Sequence, residues 1–202
     1  MSARRVAPRD CLLAVAMPET AAEFAADLRS RPDGLAASLC RQRPAAAAAV
    51  VFEAALRPSL ALLDDVAAEL QRLGGTVLRR VDLPSWRNLF HRAEQVPAVV
   101  TLVAHGTGAA VELRDGLHPA ASLAAALPPQ LDGYFDLTSC HSIEALADAL
   151  KRRAPGITVQ STRGTTLLGV RLALYRQVIR RLAARPASYM TTVVDVWSDA
   201  AK

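Results

Sequence analysis

Two residues of this 202-residue chain have the type and placement that nucleophilic acyl chemistry needs. His105 follows the apolar run 98–104 (AVVTLVA), and Cys140 follows the run 134–139 (YFDLTS). The attacking species in such chemistry is a thiolate, and a free cysteine is mostly protonated at neutral pH. An imidazole beside it can take that proton and later return it to the leaving amine. A helix expected over 142–153 would turn its positive end toward Cys140 and stabilise the anion. Gly106 lets backbone come close to a substrate, and its N–H, with that of Cys140, would hold an oxyanion. Taken singly, each residue has a plainer reading: a buried small hydrophobe for the cysteine, a satisfied polar side chain for the histidine. The pair, in this order, one strand–helix unit apart and each at a strand's end, carries the argument.

The elements that must position this pair alternate along the chain. Strands are expected at 11–17, 49–56 (AVVFEAAL), 76–81, 98–104, 134–139, 157–160 and 190–197, with a short extended piece at 111–113. Helices are expected at 21–28, around Leu35 to Cys40, and at 60–73, 85–95, 120–127, 142–153 and 167–184. The helix over 60–73 shows its period directly, with Leu62, Leu63, Val66, Leu70 and Leu73 on one face. The continuous apolar run 98–104 suits a parallel strand covered on both faces. Such alternation implies an α/β domain of three layers, a mainly parallel sheet flanked by helices. In such sheets functional residues gather at the carboxyl ends of the strands, where His105 and Cys140 fall. Residues 1–45 read as an N-terminal segment that is a prodomain, a docking piece or an extra strand and helix. Residues 46–202 read as the main domain.

Composition narrows the classes. Half of the residues are apolar, which fits a globular chain. No apolar run reaches the roughly 18–20 residues needed to span a bilayer. The apolar patch 12–17 is short for a secretion signal and is followed by Pro18 and Glu19, so a cytoplasmic protein without membrane contact is expected. Three widely spaced cysteines, Cys11, Cys40 and Cys140, do not read as a disulfide framework. The histidines at 91, 105, 118 and 141 lack metal-ligand spacing, so neither a metal nor another cofactor is expected. The net charge of +5 is moderate and aromatics are few, so nucleic acid is not the expected partner.

The two catalytic segments resemble those of the caspase-like superfamily, which includes caspases, metacaspases, clostripain- and gingipain-type peptidases, CHAT proteases and toxin autoprocessing domains. VVTLVAHGTG (99–108) is similar to that family's apolar strand ending in His-Gly, and YFDLTSCHS (134–142) to its apolar strand ending in a small residue and Cys. VELRDG (111–116) resembles the hairpin after the histidine, and QSTRG (160–164) the strand after the cysteine. The helix after Ser59 and TVLRRVDLP (76–84) are similar to the first βαβ unit, so the likeness covers residues 46–184.

This resemblance implies a three-layer caspase-like fold and a cysteine endopeptidase. Its dyad would be His105 and Cys140, with Gly106 and Cys140 forming the oxyanion hole. Ser161, Thr162 and Arg163 would border the substrate, which pairs as an added strand. It implies a protein substrate, one or a few specific ones, a regulatory partner protein, and a place in a bacterial defence or effector pathway. The residue preferred at the cleaved bond is poorly marked: Asp115, Asp132 and Asp136 could make a pocket for a basic side chain, and Arg57 or Arg163 could receive an acidic one, although most of these charges read as solvated surface. The toxin autoprocessing domains also bind inositol hexakisphosphate. Arg79, Arg80, Arg152, Arg153, Arg171, Arg176, Arg180 and Arg181 could serve such a phosphate, although arginines along a helix usually form a solvated face. Two departures stand out. His141, not arginine, follows Cys140, and the short connection to the next strand holds no long cleavable linker. Two other readings remain open: an inactive binding module on the same fold, and an unrelated α/β hydrolase whose His105-Gly106-Thr107-Gly108 is an oxyanion loop. The second lacks any Gly-x-Ser-x-Gly elbow.

Overall fold

The computed structural model describes residues 4–91, 96–107, 110–138, 143–161 and 167–201. Along the chain come β1 (Arg5–Val6), a single 3-10 turn (Pro8–Asp10), β2 (Cys11–Val15), α1 (Ala21–Ser30), α2 (Leu35–Arg41), α3 (Ala48–Ala55), α4 (Arg57–Arg72), β3 (Thr76–Leu78) and α5 (Leu83–His91). Then follow β4 (Val99–Val103), β5 (His105–Thr107), β6 (Ala110–Leu113), β7 (Gly116–Pro119), α6 (Ala120–Ala124), β8 (Gly133–Thr138), α7 (Ile143–Arg153), β9 (Ile157–Ser161), α8 (Leu168–Ala184), β10 (Ala187–Ser188) and α9 (Tyr189–Ala200).

Five strands form a wholly parallel sheet in the order β3-β2-β4-β8-β9. Alternation sorts their side chains into two cores. Cys11, Leu13 and Val15 of β2, with Val99 and Val103 of β4, face α1, α3, α4, α8 and α9. Leu12 and Ala14, with Val100, Leu102, Phe135 and Leu137, face α5, α6 and α7. Both faces of β2 and β4 are buried, which is why each reads as an unbroken apolar run. The fold is therefore α/β, a parallel sheet between two helical layers. Trp86 anchors α5 to the second face: its indole N–H donates to the Leu123 carbonyl at 3.0 Å, and its ring meets Phe90 and Phe135 edge-on. Among the described residues, no helix is long and apolar enough to cross a membrane.

Two expected strands are helices. Residues 48–55 form α3, not a strand. The run 49–56 is apolar at all but one position, so periodicity cannot separate the two forms, and alanine is the best helix former. Residues 189–200 form α9. Its Thr and Val content favours a strand locally, but Tyr189, Thr192, Val193 and Val196 fall on one helical face, and that face is buried. The sheet also crosses the boundary drawn at residue 45, because β2 lies between β3 and β4 near the sheet's centre.

Candidate active site

The strand order reverses direction between β2 and β4: the chain goes out from β2 to β3, then returns to build β4, β8 and β9 on the other side. Crevices at the carboxyl ends of strands at such a switch point are where α/β sheets bind ligands. Here that edge carries Ala16, Met17 and Pro18 after β2, and Ala104 and His105 after β4, with Ala16 N–H donating to the Val103 carbonyl at 2.9 Å. All but His105 of these residues are buried.

His105 opens β5, the first strand of a small antiparallel sheet, β5-β6-β7, that stands off the end of β4. Its ring is partly buried, and its Nδ1 is enclosed without a hydrogen-bond partner among the described residues. Burial holds its pKa below the usual 6.5, the nearby charge of Arg41 acts in the same direction, and Glu112 opposes both. The imidazole is consequently neutral at pH 7, the form a general base requires. Gly106 follows, buried, and pairs with Val111.

Glu112 is directly across the ladder from His105. Its side chain is only 3% exposed, so its charge needs partners. One carboxylate oxygen accepts the Leu35 N–H at 2.7 Å, and the other accepts Arg31 Nη1 at 3.2 Å. Arg31 also donates to the carbonyls of Leu113 (3.0 Å) and Arg114 (2.5 Å). Arg114 in turn donates to Asp27 at 2.6 Å. Two cations and two anions thus fasten the α1–α2 turn to the hairpin whose first residue is His105. Gly34 sits in this joint: a Cβ there would stand 2.7 Å from a Glu112 oxygen. Glu112, Arg31 and Asp27 are not among the residues that the sequence alone marks for a site. The available signal was an acid between Val111 and Leu113, two apolar residues of one short strand.

The remaining expected residues divide. Cys140, with His141, and Thr162 and Arg163 lie outside the described residues. Ser161 ends β9, half-buried and paired with Leu137. Strand β9 is hydrogen-bonded to β8 on one side and has no second neighbour among the described strands. Arg57 is exposed and committed elsewhere: it bonds both oxygens of Glu53 (3.1 and 3.2 Å) and lies 5.3 Å over the Phe52 ring. It is not a free receptor for an acidic side chain.

The three acids expected to share a pocket are not brought together. Asp136 points into the core, where it accepts Arg171 Nη2 at 2.7 Å and the Tyr189 hydroxyl at 2.8 Å. Burial pushes its pKa up while Arg171 pulls it down. Asp115, in the β6–β7 turn, accepts the Leu83 N–H at 3.2 Å and lies 2.8 Å from His118 Nε2. Asp132 precedes β8 and lies at the opposite, amino edge of the sheet. The arginines considered for a phosphate are largely engaged within the chain. Arg79 and Arg80 pair with Asp64 and Glu23, and Arg171 with Asp136. Arg176 and Arg180 share Glu69, Arg181 holds Asp199, and Arg153 donates to the Leu127 carbonyl.

No protein-family model matches the chain, and no curated protein matches it.

Proposed function

We propose that the chain is a caspase-like cysteine endopeptidase in which Cys140 is the nucleophile and His105 its base. The observation that carries the reading is one of register. Val103 and Thr138 are direct partners on the adjacent parallel strands β4 and β8. His105 and Cys140 are each the second residue after that pair. Three further observations support it: the partly buried imidazole, held toward its neutral form, whose Nδ1 has no partner among the described residues; the start of α7 at Ile143 with its positive end at the carboxyl edge; and the side of β9 that has no neighbour among the described strands.

In this reading His105 takes the Cys140 thiol proton, and the thiolate attacks the scissile carbonyl carbon. The N–H groups of Gly106 and Cys140 receive the resulting oxyanion. As the tetrahedral adduct collapses, the C–N bond breaks and His105 gives its proton to the leaving amine. A thioester remains on Cys140. Water, deprotonated by His105, then attacks it, releasing a carboxylic acid and the free thiol. The substrate lies beside Ser161, Thr162 and Arg163, extending the sheet at β9 as one more strand. A specific bacterial protein, presented by a regulatory partner, is the expected substrate.

The test is cleavage of a peptide library by the wild type, Cys140→Ala and His105→Ala, with iodoacetamide labelling of the wild type in parallel. Cleavage by the wild type alone, with Cys140 labelled faster than Cys11 and Cys40, is expected. Equal cleavage by Cys140→Ala, or no cleavage by any form together with a slow-reacting Cys140, sinks the reading.

A further inference from the structure

A second feature lies at the other end of the sheet from His105. Helix α8 ends at Ala184, the short β10 pairs antiparallel with β1, and α9 begins at Tyr189. These pieces border an open depression of about 440 Å³. That volume is in the range of small-molecule sites. Its lining mixes apolar surface with polar groups in near-equal measure, and the polar side chains are those of Arg5, Arg181, Arg185, Ser188, Thr191, Thr192 and Asp195.

The charges do not balance within that lining: three guanidiniums face a single carboxylate. Arg181 is answered from outside it by Asp199 at 2.6 Å. Arg5 and Arg185 make no ion pair among the described residues. Strand alternation sets where Arg5 goes. Val6 is turned into the core, 1% exposed, so Arg5 faces the opposite way, on the side of its ladder partner Ser188. Ser188 holds the cap position of α9 but makes no side-chain cap hydrogen bond. Thr192, by contrast, is satisfied, donating to the Ser188 carbonyl at 3.0 Å.

We propose that this depression binds a small phosphate monoester through Arg5, Arg185 and the Ser188 hydroxyl. Two guanidinium forks on separate elements, plus a hydroxyl, need an anion with several terminal oxygens and close to two charges. A phosphate monoester supplies three such oxygens and about −1.5 to −2 charge, whereas a lone carboxylate has two oxygens and one charge. Asp195 adds a selection. It accepts from a hydroxyl or amine on the rest of the ligand and repels a second anionic group, so a polar, singly phosphorylated molecule fits best.

Glucose 6-phosphate is a suitable probe, titrated calorimetrically into the full chain carrying Cys140→Ala, which keeps the outcome independent of peptidase activity. Saturable binding is expected, with glucose silent and citrate weaker. Arg5→Ala and Arg185→Ala should each weaken binding by about tenfold, the loss of one charge-assisted contact. Both side chains are exposed, so an unchanged unfolding midpoint of the unliganded variants will show that the fold is intact. Absence of saturable binding, binding indifferent to both substitutions, or tighter binding of citrate overturns the proposal.

Discussion

At the scale of single residues, the chemistry of His105 depends on what surrounds its ring. Burial and Arg41 favour the neutral imidazole, and Glu112 favours the charged one. The two influences differ in kind: burial is a property of the whole pocket, whereas the Glu112 charge can be removed alone. Glu112→Gln keeps the shape and an acceptor for the Leu35 N–H, and it deletes the anion. The His105 pKa should then fall further below 6.5, because the opposing pull is gone. An NMR titration of the imidazole reads this directly, with Glu112→Asp expected to restore part of the difference. An unchanged or higher pKa in Glu112→Gln would show that the Arg31 charge already cancels that of Glu112 at the ring. His105 itself was legible in the sequence because a histidine after an apolar strand is a local pattern. Its partner was not, because Glu112 becomes a buried acid only once the α1–α2 turn folds over it. Asp136 misled for the same reason. An acid within YFDLTS reads as a pocket residue until α8 and α9 supply Arg171 and Tyr189.

At the scale of elements, charge also joins helices that the apolar core only brings near each other. Helices α4 and α8 pack side by side on one face, and Glu69 of α4 bonds Arg176 and Arg180 of α8, each at 2.6 Å. Those hydrogen bonds from Arg180 and Arg176 lower the Glu69 pKa from 4.5 to about 2. A folded-state pKa depressed below the unfolded one contributes stability above the unfolded value, and that contribution is lost as pH falls through the folded value. Wild type should therefore be more stable than Glu69→Gln at pH 6. The gap should shrink from about pH 4.5 downward and close near pH 2. Urea unfolding midpoints for both proteins across that range would test it; a gap independent of pH would assign the effect of the substitution to packing. Helical periodicity exposed α4 in the sequence, since its buried Leu63, Val66 and Leu70 recur at helical spacing. The same logic failed for α3, where nearly every residue is apolar and no face stands out. It failed for α9 because β-branched residues drew the local propensity toward a strand while burial of one face decided for the helix.

At the scale of the whole molecule, the α/β alternation and the parallel sheet were legible, because they follow from the order of periodic segments. The place of β2 was not. A run of five apolar residues says that a strand is buried but not between which neighbours. The chain then inserts α1, α2 and α3 before the crossover helix α4, so the polar stretch Arg41 to Pro44 imitates a domain boundary. In the fold, β2 pairs with β3 on one side and with all five residues of β4 on the other. Its Leu12, Leu13 and Val15 are at most 1% exposed. Burying such side chains contributes about 1.5–3 kcal/mol each, so these three alone supply about 5–9 kcal/mol. That rivals the ~5–15 kcal/mol by which a whole domain is stable. Removing β2 would also leave the facing edges of β3 and β4 without hydrogen-bond partners. The fragment 46–202 should therefore lose cooperative unfolding and bind hydrophobic dye, even though it retains His105 and Cys140. Near-UV circular dichroism and a thermal melt of the fragment beside the full chain decide the matter. A fragment that melts sharply, with native near-UV signal, would mean that the sheet closes without β2 and that residues 1–45 are dispensable to the fold.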